Sequence, residues 1–361
     1  MSPLIPPHLE KIKPYEPGKP IEELQRELGL EEVVKLASNE SPLGPPKVSI
    51  EAIRKAIDEL NRYPDDSCFH LKNKISGKFD VPTRNITIGA GSAELIINSA
   101  RSLLKHDDFA VISQQTFVMY WLAVQTVNGN MIRVPLKNYT YDLDAMAAAI
   151  DERVSLVYIA NPNNPTGTMV TAEQFDRFMS SLPPDVVVVY DEAYREYVGR
   201  DDYPDPLHYY RRGDNIIILH TFSKVYGLAG LRIGYAMAND ELSDALKRVR
   251  SPFNVNIIAN AAATAALDAV EHVEESIKIN KEGMAYLSEE MKALGLNVIP
   301  SVTNFLLVDF GHDVTDLNNK LLHKGIIVRP MASFEMPHAL RISIGLPDEN
   351  RKFIRALKEV L

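Results

Sequence analysis

From about residue 48 onward the apolar positions fall into two alternating kinds. Stretches with apolar residues three and four apart predict amphipathic helices, and short continuous apolar runs bounded by turn residues predict buried strands. Residues 85–89, 109–113, 131–136, 155–160, 186–190, 216–220 and 233–237 read as strands. Residues 48–60, 93–104, 116–127, 142–150 and 171–181 read as helices. Strands that are apolar on both faces and joined through helices predict an α/β fold. The expected core is a large domain with a mostly parallel seven-stranded sheet between helices.

After a helix over 240–250 and a Ser251-Pro252 break, the pattern changes. A long helical stretch over 257–280 and a helix over 281–294 lead to a strand over 304–309. Then follow a helix over 314–323, strands over 326–329 and 340–344, and a helix over 348–360. This is a smaller C-terminal α+β domain. The expected division is 1–47 as an N-terminal arm and part of the small domain, 48–256 as the large domain, and 257–361 as the small domain. Many of the 23 prolines crowd into the first 46 residues, which predicts an extended arm there.

With 361 residues the chain exceeds one typical core, in keeping with that division. A formal net charge of −9 argues against a nucleic-acid partner but leaves room for a local arginine cluster that grips an anion. The single cysteine, Cys68, rules out an intramolecular disulfide and fits a reducing, cytoplasmic location. The N-terminal residues show no apolar signal segment, and no run reaches the length of a membrane span.

Chemistry concentrates in the run HTFSKVYGLAGLRIGY, from His220 to Tyr235. Lys224 there follows a strand, with Thr221 and Ser223 before it and Arg232 eight residues after it. A lysine among hydroxyls and an arginine suits an imine with a phosphate-bearing aldehyde, because an anion needs those neighbours and a solvated lysine does not. Pyridoxal 5'-phosphate (PLP) is that aldehyde, and its ring nitrogen then requires a carboxylate. Asp191 ends the apolar strand Val-Val-Val-Val-Tyr-Asp and meets that need. A helix cap or a metal ligand is the alternative reading, but no histidine lies nearby with ligand spacing. Tyr194, three residues on, is either a hydrogen-bond donor to the ring oxygen or a packed aromatic.

The turn Asn161-Pro-Asn-Asn-Pro-Thr-Gly-Thr168 follows a strand, where open α/β sheets bind ligands. Asn164 can donate its amide there. Gly89-Ala-Gly-Ser-Ala-Glu94 joins a strand to a helix, a phosphate-cradling arrangement that includes Ser92 and Ala93. Phe117 either stacks on a flat ring or packs in the core. Arg329 and Arg341 lie in apolar strands, where an inward guanidinium needs an anion: a substrate carboxylate or phosphate, or an internal ion pair. Trp121, Cys68 and the histidines point to no role sharper than packing or surface.

Taken in order, the glycine loop, the aromatic, Asn-Pro-Thr-Gly, Asp-x-x-Tyr, Ser-Lys with its arginine, and the late strand arginine resemble the PLP-dependent aminotransferases of fold type I. The resemblance runs from about residue 10 to the C-terminus. Within that family the chain is most similar to the histidinol-phosphate aminotransferases, through Lys13-Pro-Tyr-Glu-Pro-Gly18, the 35–45 run, Asn61-Arg-Tyr-Pro-Asp65 and Gly-Ile-Ile-Val-Arg-Pro330. The resemblance implies Lys224 as imine lysine and proton shuttle, Asp191 on the ring nitrogen, and Asn164 and Tyr194 on the ring oxygen. It also implies Phe117 over the ring, and Ser92, Ala93, Thr221, Ser223 and Arg232 on the phosphate. Tyr63 would reach the phosphate in a neighbouring subunit, which makes a homodimer with shared sites. Arg329 and Arg341 would hold the substrate anion, with Tyr15 and Asn39 lining the pocket.

The implied reaction is transfer of an amino group from L-histidinol phosphate to 2-oxoglutarate. An aromatic amino-acid aminotransferase and a PLP-dependent phospho-amino-acid decarboxylase are the alternatives. Two departures from the family pattern stand out: Ala93 where an aspartate is common, and Gln114-Gln115 ahead of Thr116-Phe117.

Overall fold

The computed structural model describes residues 4–10, 12–14 and 18–361. Its strands are β1 (Val34–Leu36), β2 (Ile86–Gly89), β3 (Phe109–Ser113), β4 (Asn130–Val134), β5 (Val154–Ala160), β6 (Val187–Asp191), β7 (Ile216–Thr221), β8 (Gly234–Met237), β9 (Asn297–Val298), β10 (Phe305–Asp309), β11 (Ile326–Pro330) and β12 (Ala339–Ser343). Seven of them form one sheet in the order β2-β8-β7-β6-β5-β3-β4. Strands β3 to β7 pair in parallel, and β8 runs antiparallel to both of its neighbours. Every residue of β6 and β7 is buried, as expected for strands covered by helices on both faces. The expected seven-stranded, mostly parallel sheet is therefore present, with strand ends shifted by at most two residues.

A second sheet has the order β1-β11-β12-β10-β9. Its β1 comes from the N-terminal segment and pairs in parallel with β11 through Val34 and Ile326. Each sheet has its own apolar cluster, the larger around Tyr158, Tyr190 and Phe222 and the smaller around Leu306, Ile342 and Phe353. Phe305 is the exception: it sits on the second sheet's β10 yet packs into the cluster of the first.

Three expectations need correction. The extended N-terminal arm contains a helix, Ile21–Leu28, ended by Gly29 in the left-handed conformation. Proline at the residue before a helix, here Pro20, is compatible with the helix that follows, so proline density alone did not exclude one. The helix expected over 116–127 starts later, at Met119, which leaves Phe117 in the loop before it. The helical region after residue 257 breaks near Asp268, not at residue 280. Helices Ile257–Ala266 and Val270–Ala293 flank a tight turn in which the Val270 N–H donates to the Asp268 carbonyl at 3.0 Å. The Asp268 carboxylate is tied to Lys74. Nothing at residues 280 and 281 interrupts the helix, because Asn280 is absorbed by donating to the Thr303 carbonyl at 2.9 Å. Among the described residues, no helix is long and apolar enough to cross a membrane.

Phe305 makes an edge contact with Tyr194 at 5.3 Å between ring centroids and underlies Arg341. Its removal would leave a cavity at the seam between the two apolar clusters. Phe305→Ala is expected to cost about 3–5 kcal/mol in equilibrium chemical denaturation, the usual range for a buried phenyl.

Candidate active site

The carboxyl ends of the parallel strands converge on one cavity of about 120 Å³. Ser92, Ala93, Phe117, Asn164, Asp191, Tyr194, Thr221, Ser223, Lys224 and Arg232 line it, together with Tyr120, Ala160, Pro162 and Ala193. A second cavity of about 140 Å³ shares Phe117, Asn164, Tyr194 and Lys224 with the first. Asn39, Arg329 and Arg341 line this second cavity along with Gly18, Ala37, Ser38, Val118 and Phe334. Two residues stand apart. Tyr63 is 81% exposed, stacks on Phe253 at 4.7 Å and lines neither cavity. Tyr15 lies outside the described residues.

Strand alternation decides which side chains enter. Asp191 is in register with Leu219, and Thr221 lies two residues further along the same face of β7. Asp191 and Thr221 both line the cavity. Their neighbours Glu192 and His220 point to the other face, where Glu192 Oε1 lies 2.8 Å from His220 Nε2 and 3.0 Å from Arg195 Nη1. The His220 nitrogen is at ion-pair distance but is not aimed for a directed hydrogen bond, so that contact is electrostatic. Burial alone would raise the Glu192 carboxyl, yet His220 and Arg195 hold it below its ordinary value.

Asp191 itself is buried, with 4% of its surface exposed. It accepts from the Tyr120 hydroxyl at 3.0 Å and from the Ala193 N–H at 3.1 Å. Desolvation outweighs these bonds and the nearby His220 charge, and pushes its carboxyl up to about 6. A carboxylate in this setting is stabilised by a cation placed in the cavity.

The anion-binding side is assembled from two loops. The helix Gly91–Leu103 directs the N–H groups of its first turn toward solvent or ligand. Glu94 reaches back to the Ala90 N–H at 2.6 Å and fixes the start of that helix. Gly91 has φ +76, and a side-chain carbon there would come within 2.6 Å of Arg232 Nη2. Only glycine lets the helix start and the guanidinium approach this closely. Arg232 donates to the Ala229 carbonyl at 3.1 Å and to Ser223 Oγ at 3.4 Å, and Ser223 in turn accepts from Thr221 Oγ1 at 3.0 Å. Gly227, with φ +64, lets the loop after Lys224 pack directly on the Gly44 backbone.

Lys224 Nζ lies 3.4 Å from the Ser38 carbonyl and 5.4 Å from the centroid of the Tyr194 ring. Asn39 Nδ2 donates to the Tyr194 hydroxyl at 2.9 Å, while its own N–H and Oδ1 are held by Ser343 Oγ at 2.8 and 3.0 Å. Arg341, only 7% exposed, donates to Asn164 Oδ1 and, at 2.7 Å, to the Ala37 carbonyl. With its oxygen occupied by Arg341, the amide nitrogen of Asn164 is left to face the cavity. Arg329 and Arg341 are directly opposed across β11 and β12. Two like charges facing each other across a sheet repel, and an anion between them relieves that repulsion.

Sequence reasoning missed Tyr120, which is three residues after Phe117 and meets it edge-on at 5.8 Å. It also missed Asn163, which receives the Thr116 hydroxyl at 2.9 Å and donates to the Gln115 carbonyl at 2.9 Å. That network fixes the loop carrying Phe117. The helical spacing of Phe117 and Tyr120 was a usable signal for the first, whereas nothing local marked the second. Among the described residues, no group of three or more His, Cys, Asp or Glu could hold a metal ion.

This architecture, with a lysine, a carboxylate and an anion cradle at the strand ends, is that of the fold type I aminotransferases. The chain belongs to the aminotransferase class I and II family, whose model matches residues 31–357. It is 47% identical over 351 residues to a histidinol-phosphate aminotransferase of Moorella thermoacetica, covering 97% of this chain and 91% of that protein. The corresponding enzyme of Caldicellulosiruptor saccharolyticus is 45% identical over 353 residues, covering 98% of this chain and 99% of that protein. Among solved structures, the histidinol-phosphate aminotransferase of Sinorhizobium meliloti in complex with pyridoxal-5'-phosphate superposes with a TM-score of 0.89. That pair is 30% identical, covering 99% of this chain and 97% of the other. An aspartate aminotransferase of Thermus thermophilus with maleate reaches a TM-score of 0.86 at 21% identity, over 99% of both chains, which speaks to the fold alone.

The raised Asp191 carboxyl gives a signed prediction for the ligand-free protein. A folded value near 6, above an unfolded value near 4, means that stability is greatest at acid pH and falls as pH rises through that window. The loss should approach roughly 3 kcal/mol by pH 7, at 1.36 kcal/mol per unit. Asp191→Asn removes the titration. Denaturation of both proteins at pH 4.5 and 7.5 should show a difference in stability that shifts in favour of the variant at the higher pH.

Proposed function

We propose that this chain is a PLP-dependent aminotransferase that moves the amino group of L-histidinol phosphate to 2-oxoglutarate in histidine biosynthesis. One observation carries the reading: two adjoining cavities share Lys224, Asn164, Tyr194 and Phe117, one containing the buried Asp191 carboxylate and the Arg232 cradle, the other the opposed Arg329 and Arg341.

PLP fits the first cavity on two counts. Asp191 is a buried acid that gains from a protonated ring nitrogen, and the Gly91 start of the helix leaves room for the Arg232 fork beside a phosphate. Ser92, Ala93, Thr221, Ser223 and Arg232 would hold the phosphate, and Phe117 would cover the ring. Asn164 and Tyr194 would donate to the ring oxygen. When bound, PLP acts as an electron sink for the negative charge that develops at the donor Cα.

The chain's own groups do the rest. Lys224 Nζ would take up the proton released at the donor Cα and pass it on, as a general base and then a general acid. Asp191 keeps the ring nitrogen protonated. Asn39 orients the Tyr194 hydroxyl, and Arg341 orients the Asn164 amide. Arg329 and Arg341 hold the phosphate of the donor or a carboxylate of the acceptor, since both anions suit a guanidinium fork. Tyr15 would complete the pocket wall with Asn39.

The reading extends to assembly and place. The exposed, aromatic-stacked Tyr63 suits a contact with the cofactor phosphate of a second copy, so the working unit would be a homodimer with shared sites. The division into 1–47, 48–256 and 257–361, and a cytoplasmic location, belong to the same reading.

Stopped-flow half-reactions that follow the cofactor's visible absorbance decide the substrate. L-histidinol phosphate is expected to react with a kcat/KM at least tenfold above that of L-phenylalanine; the reverse order would make this an aromatic amino-acid aminotransferase. Release of CO2 without a keto-acid acceptor would point to a decarboxylase instead. Lys224→Ala should lose both the visible band of the wild-type holoenzyme and transamination. The shared site has its own check. Lys224→Ala and Tyr63→Ala subunits, each inactive alone, should regain about a quarter of wild-type activity when mixed and reassembled, because half the dimers then carry one intact site.

A further inference from the structure

Arg133 lies on the edge strand β4 of the large sheet, well outside the lysine site. Its guanidinium nonetheless touches three things at once. Nη1 and Nη2 make a bidentate pair with Glu335 at 3.0 and 2.9 Å. Nη2 also donates to the Gln114 carbonyl at 3.4 Å, and the guanidinium carbon lies 4.4 Å from the centroid of the Trp121 ring.

Each partner leads to a wall of the second cavity. Gln114 begins the loop that ends in Phe117. Trp121 is on the helix Met119–Thr126, directly after that loop. Glu335 closes the turn Ala332–Phe334 with φ +61, a conformation that ordinarily needs glycine or asparagine. That turn carries Phe334, and five residues before Phe334 the same segment carries Arg329. Phe117, Phe334 and Arg329 all line the cavity.

The pair is partly exposed, with 31% and 48% of the two side chains accessible. Many such pairs contribute little. This one has the features that make a pair matter: fork geometry, a tryptophan face that orders the arginine, and a backbone acceptor. It ties the segment that carries Phe334 to the loop that carries Phe117.

We infer that Arg133 and Glu335 are positioning residues: together with Trp121 they clasp the Arg329–Phe334 wall against the Phe117 wall and so set how tightly the amino donor is gripped. This rests on the aminotransferase reading, but it concerns binding of the donor, not the proton transfers. Lysine in place of Arg133 would keep the charge but lose the fork.

The test uses the holoenzyme and three variants, Arg133→Ala, Glu335→Gln and the double variant, in half-reactions with L-histidinol phosphate. The single variants are expected to raise the apparent dissociation constant of the donor by about five- to tenfold. The limiting rate and the visible cofactor spectrum should stay within about twofold of wild type. The double variant should be no worse than either single one, since the lost contact is shared. Arg133→Lys should fall between wild type and alanine. Unchanged donor affinity in the single variants would overturn the clasp, as would equal losses in affinity, limiting rate and cofactor spectrum. If the wild-type holoenzyme fails to transaminate while retaining its cofactor band, the functional reading fails and not the clasp alone.

Discussion

The structure depends on keeping one carboxylate, Asp191, at the end of a strand where water does not reach. An ionised aspartate buried this deeply is disfavoured unless something opposes the desolvation. The Tyr120 hydroxyl and the Ala193 N–H do so only in part, and the carboxyl remains near 6. The surrounding strands are apolar on both faces, so apart from those two donors Asp191 meets little but the cavity it lines. A buried acid that is incompletely satisfied in the free protein is a store of binding energy for a cationic group. Lys224 and the Arg232 cradle line the same cavity.

The same strand ends carry a second, closed set of charges on the opposite face. Glu192, His220 and Arg195 meet there, and Tyr203 adds a bond to Glu192 at 3.3 Å. The contrast between the faces is instructive. Glu192 is held as a carboxylate by Arg195 and the adjoining His220 ring, while Asp191, one residue away, has no cation of its own among its bonded partners. Period-two alternation therefore separates a satisfied charge from an unsatisfied one within a single dipeptide.

How much of this was legible in the sequence follows from where each signal lies. The parallel sheet was legible because apolar runs of five or six residues report burial on both faces, and each run maps onto one strand. Lys224, Asp191, Asn164 and Arg232 were legible because strand-end loops are local and their chemistry is carried by consecutive residues. The break near Asp268 was not, because it depends on a carboxylate held by Lys74, nearly two hundred residues away. The contribution of Phe305 to the larger core was hidden for a similar reason: the sheet that carries it and the cluster that receives it meet only in three dimensions. The surroundings of Ala93 and the Gln114-Gln115 pair, departures from the family pattern, were likewise set by the fold and not by neighbours in sequence. Ala93 lines the cavity on the helix's first turn, and Gln114 and Gln115 are bound through their carbonyl oxygens by Arg133 and Asn163.

That last point bears on substrate choice. Arg341 occupies the Asn164 side-chain oxygen; Asn164 lines both cavities, and Arg341 is at the same time a wall of the second. On the proposed reading, an anion drawing on Arg341 would act, through one shared hydrogen bond, on the group that addresses the ring oxygen. Asn39 makes the same kind of link: Ser343, two residues beyond Arg341 on β12, fixes the asparagine that orients Tyr194. Substrate grip and cofactor tuning would then, on the proposed reading, not be separable modules in this chain. On that reading, a donor that lacks a well-placed anion would forfeit more than its own contacts, because Asn164 and Tyr194 take their orientation from the strand that would have bound it.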